Sequence, residues 1–124
     1  MSTQAPTDSA AAHVNALMVP VADMEAACTF LTGVLGLALK FRDGDRYAAF
    51  ELQGLTLALL GQEERVVTQP AIGIRVDDME GTITRMQAAG AAMATPVTAG
   101  PHELRGVVRM PGGIDAVLSQ KTAR

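Results

Sequence analysis

Hydrophobic and polar residues alternate in a short stretch that occurs twice in the chain. The two copies cover residues 17–25 and 72–80, and Asp23 in the first aligns with Asp78 in the second. In each copy, apolar residues at every second position predict a β-strand, and the acidic residue that follows them predicts the start of a helix. A repeat of this kind implies two equivalent modules, with a site between them if there is one.

The rest of the pattern predicts a strand, a helix and three further strands in each module. In the first module the strands are predicted over residues 14–21, 37–41, 46–52 and 55–60, with a helix from Asp23 to Leu35. In the second module they are predicted over residues 71–76, 92–97, 104–110 and 114–119, with a helix from Asp77 to about Ala89. The predicted class is therefore α+β, with a disordered tail (1–12), two modules (13–61 and 70–120), a linker (62–69) and a polar tail (121–124).

Both predicted helices begin with acidic residues, which are favourable at the positive end of a helix dipole. Asp77 is predicted to start the second helix, with Glu80 three residues later offering a capping box. Cys28 is predicted to be half-buried and inert. The buried face of the first helix is predicted from apolar residues at helical spacing, which are Ala27, Phe30, Leu31, Val34 and Leu35.

Strand parity predicts which residues face away from the helices, because successive side chains of a strand point to opposite faces. Arg75 shares the parity of Ala71 and Gly73, and its guanidinium could bind a carboxylate or enolate oxygen of a ligand. The other interpretation of Arg75 is an outward salt bridge at the end of the strand. Asp115 shares the parity of Val117 and is a candidate partner for Arg75.

Composition narrows the possible functions. The formal net charge is −3 and the 10 Lys and Arg residues are spread thinly, so we expect no nucleic-acid partner. No apolar run is long enough to span a membrane, and the N-terminus lacks the pattern of a signal peptide. The lone Cys28 fits a cytoplasmic location. Aromatic residues are few, and Tyr47 and Phe50 lie on opposite faces of one predicted strand, so only one of them can line a ligand site.

The two histidines are weaker candidates for chemistry. His13 lies close to the predicted tail and is interpreted as a surface residue. His102 lies in a Gly-Pro loop with Glu103 and Arg105, where it could either reach a ligand or be fully solvated. The sequence shows no Ser/His/Asp triad, glycine-rich phosphate loop or pair of metal-binding cysteines.

Two modules of this order resemble the vicinal oxygen chelate superfamily, which contains glyoxalase I, extradiol dioxygenases, fosfomycin-modifying enzymes and bleomycin-resistance proteins. The resemblance covers nearly all of residues 14–120 and is carried best by residues 21–25, 30–37 and 110–113. The chain departs from the family pattern at Leu31, where Tyr is usual, and at Met110 and Gly112, where Asp is common. The resemblance implies two βαβββ modules that form a curled mixed sheet around a ligand-binding cleft, with the helices on the outside.

Enzymes of this superfamily usually hold a divalent metal with His and Glu side chains from the first and fourth strands of each module. Carried over to this chain, those positions fall on Ala16, Ala58, Ala71 and Val117. None of these side chains offers an atom that can bind a metal ion. We therefore expect neither a metal nor another cofactor.

The resemblance and the missing donors together favour a metal-free protein that sequesters or carries a small organic ligand. One alternative is a lyase, isomerase or dioxygenase-like enzyme with a non-standard site that uses Arg75, Asp115 or His102, and another is a structural or regulatory module. A homodimer is expected, because small modules with a free sheet edge often pair. The residues predicted to contact the ligand are Ala16, Met18, Thr56, Ala58, Ala71, Gly73, Arg75, His102, Asp115 and Val117.

Overall fold

The computed structural model describes residues 12–64 and 66–122 of the chain. The chain divides into two compact units, one of residues 15–72 and one of residues 73–122 together with 12–14. We call the strand–helix–strand repeats that correspond to them the first module (residues 12–64) and the second module (residues 71–122), so that each strand belongs to one module as a whole. Of the predicted tails, which span residues 1–12 and 121–124, residues 1–11 and 123–124 lie outside the described residues. Ala12 and Lys121 belong to strands, so the tail prediction is wrong at these two positions. No helix in the described part of the chain is long and apolar enough to cross a membrane.

The first module contains a strand, a helix and three further strands, as the pattern predicts. They are β1 (Ala12–Pro20), α1 (Met24–Gly33), β2 (Ala38–Asp43), β3 (Tyr47–Glu51) and β4 (Thr56–Leu60), followed by a single 3₁₀ turn at Gln62–Glu64. The strands lie in the order β2-β3-β4-β1. β1 runs parallel to β4, whereas β2, β3 and β4 form an antiparallel meander, so the sheet is mixed.

The second module repeats this order. Its elements are β5 (Ala71–Val76), α2 (Met79–Ala88), β6 (Ala92–Ala99), β7 (Glu103–Arg109) and β8 (Asp115–Lys121). The strands lie in the order β5-β8-β7-β6, and β7 is antiparallel to both β6 and β8. The predicted α+β class and the βαβββ order of both modules are confirmed.

Each helix begins at an aspartate whose side chain caps the first turn. The Asp23 carboxylate accepts the Ala26 N–H at 3.0 Å, and the Asp78 carboxylate accepts the Gly81 N–H at 3.0 Å. The predicted start of α2 at Asp77 is therefore wrong by one residue. Glu80 becomes the second helical residue, so it is placed too early to complete a capping box.

The buried face of α1 also differs from the prediction. Met24 and Cys28 are buried, whereas Phe30 is 53% exposed, Val34 66% and Leu35 57%. The α-helix ends at Gly33, so the last two of these residues leave its periodicity, and Phe30 is turned about 200° from Cys28 around the helix axis. Cys28 is buried more fully than expected, and this burial raises the pKa of its thiol.

Each module has its own core between its helix and one face of its sheet. In the first module the core residues are Met24, Cys28, Ala48, Phe50 and Leu59, with Val19 and Val21 packed against them. In the second module they are Val76, Met79, Val108, Ala116 and Leu118. Val76 thus lies on the helix side of β5, as parity predicts, and Val21, which directly follows β1, packs against the core of the first module. The opposite face of each sheet is called the helix-free face below.

Candidate functional site

The helix-free face of the first module is largely apolar. The register pairs Ala16 with Thr56 and Met18 with Ala58, and all four have the opposite parity to the core residues Val19 and Leu59. Ala58 is only 2% exposed, whereas Ala16, Met18 and Thr56 are half-buried. Four of the predicted ligand contacts therefore share this face, and three of them have surface that a small molecule could reach.

The packing of the core shows which of the two aromatic residues of β3, Tyr47 and Phe50, can line a ligand site. Phe50 is fully buried and packs under α1. Tyr47 has the opposite parity and lies on the helix-free face, where its ring centroid is 6.2 Å from that of Phe41. Tyr47 is therefore the aromatic residue of β3 that can face a ligand.

Lys40 is a polar residue of this face that sequence reasoning missed. Its ammonium group donates to Thr56 Oγ1 at 2.8 Å and lies 3.6 Å from Glu51 Oε1. The Gly54 N–H also donates to the Glu51 carboxylate at 2.7 Å, and this bond, helped by Lys40, lowers the pKa of Glu51. Lys40 lies at an irregularity of register between Leu39 and Phe41, and strand parity cannot anticipate where a bulge turns a side chain.

The helix-free face of the second module is charged. The register pairs Glu103 with Lys121, Arg105 with Ser119, Val107 with Val117 and Arg109 with Asp115, all opposite in parity to the core residues Ala116 and Leu118. Arg75 lies on the same face, because Ile74 and Val76 face the core. Four basic strand residues and two acidic ones thus share this face of an otherwise acidic chain.

Arg75 is held loosely within this face. Its Nε donates to Ser119 Oγ at 3.0 Å, and its NH2 lies 3.8 Å from Glu103 Oε1, near the outer limit of an ion pair. These are its polar side-chain partners within the described part of the chain. A guanidinium has five N–H donors in a planar fork, so most of the hydrogen-bonding capacity of Arg75 is available to a ligand.

Asp115 is not the partner of Arg75. Its two carboxylate oxygens accept from Arg109 Nε at 2.7 Å and Arg109 NH2 at 3.1 Å, a bidentate pair. These hydrogen bonds, followed by the attraction of the opposite charges, raise the pKa of Arg109. The predicted pairing of Asp115 with Arg75 is therefore wrong, because the cross-strand neighbour Arg109 already satisfies the carboxylate.

The three residues proposed for a non-standard enzyme site do not come together. Asp115 and Ser119, the latter bonded to Arg75, are four residues apart on β8, which is about 13 Å of extended strand. His102 precedes β7, whereas Asp115 pairs with the last residue of that strand, roughly 20 Å away. His102 is exposed, and its backbone carbonyl accepts the Thr122 N–H at 3.1 Å.

A small hollow lies beside Arg75 at the end of β5 and β8. It measures about 160 Å³ and is lined by Arg75, Val76, Asp77, Gln120 and Lys121. The apolar residues further along the face, Ala71 and Val117, are 5% and 3% exposed, and Gly73 is also buried. A ligand therefore cannot reach Ala71, Gly73 and Val117, whereas the charged end around Arg75 has exposed surface. The hollow has room for an anionic group rather than for a whole drug-sized ligand.

The residues at the superfamily's metal-ligand positions do not fit a metal ion. Ala16 and Ala58 lie on the helix-free face of the first module, and Ala71 and Val117 on that of the second, but none carries a donor atom. Among residues 12–64 and 66–122, no group of three His, Cys, Asp or Glu side chains is arranged to hold a metal. The side chains at these positions therefore could not hold a metal ion for catalysis.

Comparison with known proteins places these features in a family context. The model of the glyoxalase/bleomycin resistance protein/dioxygenase superfamily matches residues 12–118. An uncharacterized protein of Mycolicibacterium smegmatis is 33% identical over 75 residues, which are 60% of this chain and 65% of that protein. This chain thus spans less than two thirds of the length of that relative.

Solved structures agree on the fold. A member of the same superfamily from Vibrio splendidus 12B01 has a TM-score of 0.71 at 20% identity, with 89% of this chain and 99% of that chain covered. The methylmalonyl-CoA epimerase of Mycobacterium tuberculosis has a TM-score of 0.60 at 18% identity, with 88% and 87% covered. Identities this low support a shared fold and carry no conclusion about substrates.

Proposed function

Because the chain belongs to the glyoxalase/bleomycin resistance protein/dioxygenase superfamily, and because its metal-ligand positions carry Ala and Val, we propose that it binds a small organic anion without a metal. In this proposal the protein sequesters or carries the ligand and does not change it chemically. Arg75 binds the anionic group. The free thiol of Cys28 supports a cytoplasmic location for this activity.

The state of Arg75 is the observation that carries the proposal. Its side chain is 26% exposed and has one hydrogen bond and one long ion pair among the described residues. Arg75, Lys121 and Asp77 border the hollow at the strand ends, so two positive groups and one carboxylate share this space and its net charge is positive. A planar guanidinium that is partly sheltered and incompletely bonded suits the bidentate recognition of a carboxylate or a phosphate group.

The proposal predicts that Arg75→Ala weakens the binding of an anion and spares the fold. A hydrogen bond to a charged group contributes about 1.5–3 kcal/mol, so the affinity should fall about tenfold or more. The ligand is first chosen by thermal shift from a panel of aliphatic carboxylates, each matched with the amine of the same length. Its affinity is then measured by calorimetry.

Arg85→Ala is the matched control, because it removes the same charge from the exposed surface of α2. Equal affinities of the Arg75→Ala variant and the unchanged protein would exclude Arg75 from the site. Conversion of the bound ligand into a product, followed by mass spectrometry, would favour the alternative of a lyase, isomerase or dioxygenase-like enzyme.

We also propose that the protein forms a homodimer through α1. Phe30, Val34 and Leu35 are exposed apolar residues. When the two modules are aligned at Asp23 and Asp78, the equivalent residues of the second module are Arg85, Ala89 and Gly90. The fold itself therefore does not require this apolar surface. Beside Phe30 lies a hollow of about 500 Å³ with a wholly apolar lining, made by Val19, Val21, Ala26, Ala27, Phe30, Leu31, Leu57 and Leu59.

A second copy of the chain suits this surface by symmetry. A two-fold interface brings the same patch of two protomers together. The half-exposed Phe30 ring of one protomer can then pack against the apolar hollow of its partner, and the reverse contact forms at the same time. Because these side chains are still half to two thirds exposed, burying the remainder is favourable by roughly 1–2 kcal/mol each.

A further inference from the structure

We infer that Glu103 is a built-in competitor that lies close to the anion position of Arg75 and moves away from it when the ligand binds. This inference rests on the proposed function, because it concerns the same guanidinium. It assigns the selectivity of the site to one carboxylate of the chain, and it limits the ligand to groups that are better partners for Arg75 than Glu103 is.

The geometry around Glu103 divides its two oxygens between two arginines. Oε1 lies 3.8 Å from Arg75 NH2, whereas Oε2 accepts from Arg105 NH2 at 3.1 Å and from Arg105 Nε at 3.3 Å. The carboxylate is therefore hydrogen-bonded to Arg105, and its contact with Arg75 is a long ion pair without a hydrogen bond. A ligand anion can replace it on Arg75 without leaving Glu103 unpaired, because Arg105 keeps its own two hydrogen bonds.

The exchange costs little for a second reason. The Glu103 side chain is 28% exposed and that of Arg105 43%, so water reaches both groups throughout. Ser119 continues to hold the Nε of Arg75 at 3.0 Å, which keeps the guanidinium in place while its outer nitrogens change partner. The bond between Arg75 Nε and Ser119 is thus formed before the ligand arrives.

The Arg109–Asp115 pair on the same face is an example of an arginine that is not available to a ligand. Arg109 and Asp115 share two short hydrogen bonds, and the Asp115 side chain is only 10% exposed. A ligand anion would have to leave that carboxylate buried without a partner, which costs several times more than the exchange at Arg75. Two arginines on one face therefore differ in function because their partners differ in geometry.

A neutral side chain at position 103 should compete with a ligand anion for Arg75 less strongly than the Glu103 carboxylate does. Glu103→Gln keeps the size of the side chain and an oxygen for Arg105, but removes the charge. We expect this change to raise the affinity for octanoate and for inorganic phosphate about two- to fivefold, the range that partly exposed ion pairs give. Glu80→Gln is the matched control, because it removes the same charge from the helix side of the same module.

The affinities of the unchanged protein, Glu103→Gln and Glu80→Gln are measured by titration of the Arg75 Nε–H signal in NMR spectra. The affinity of Arg75→Ala, which lacks this signal, is measured by calorimetry. Tighter binding in Glu103→Gln alone supports the inference. If Arg75→Ala weakens binding but Glu103→Gln does not strengthen it, Glu103 is no competitor and the proposed function stands. If no carboxylate of the panel and no phosphate binds the unchanged protein or Glu103→Gln, or if Arg75→Ala binds as well as the unchanged protein by calorimetry, the proposed function and this inference both fall.

Discussion

At the scale of single residues, the cap of α2 distinguishes two adjacent aspartates. The Asp78 carboxylate satisfies a backbone N–H of the first turn, whereas Asp77 precedes the cap and is exposed. Asp78→Ala should therefore lower the free energy of unfolding by about 1 kcal/mol. Asp77→Ala should change it by less than about 0.5 kcal/mol. Urea denaturation of both variants checks this, and a larger loss in Asp77→Ala would contradict the assignment of the cap.

Residue by residue, parity was a good guide where strands are regular. It placed Arg75 on the helix-free face because Ile74 and Val76 face the core. It could not give the partner of Arg75, because Glu103 reaches it from another strand through a flexible side chain. Lys40 was missed for a related reason, since a bulge in β2 turns it toward Thr56.

At the scale of elements, α1 carries the apolar surface that we assign to the dimer. Phe30→Arg introduces the residue that α2 has at the aligned position, so the helix should tolerate it. We expect the mass from light scattering to fall from twice 12.9 kDa to 12.9 kDa. Thr84→Arg on the polar surface of α2 is the control and should stay dimeric. A monomer in the unchanged protein at micromolar concentration would contradict the dimer.

The helices were harder to predict than the strands, and α1 shows why. Helical spacing selected Phe30, Val34 and Leu35 as buried, but an apolar residue that forms an interface has the same pattern as one that fills a core. The short helix ends at Gly33 and buries Met24 and Cys28 instead. The repeat predicted where the helices start better than helical spacing predicted which residues they bury. The aligned residues Asp23 and Asp78 each accept a backbone N–H of the first turn.

At the scale of the whole molecule, the internal repeat was the strongest information in the sequence. It predicted two βαβββ modules, and both have that order. The function was harder to predict from the sequence than the fold, because the superfamily uses the same fold for many reactions and for binding alone. What the chain adds is specific: four positions without donor atoms where metal ligands are usual, and an arginine with spare hydrogen-bonding capacity.

The central claim is that this protein binds a small anion through Arg75 and without a metal. The most direct test is calorimetry of the carboxylate selected by thermal shift, with protein dialysed against a chelator and with protein incubated with divalent metals. We predict the same affinity, within about twofold, in both preparations, since no step depends on a metal. Loss of binding after chelation that added metal restores, together with one divalent ion per chain in elemental analysis, would contradict the claim.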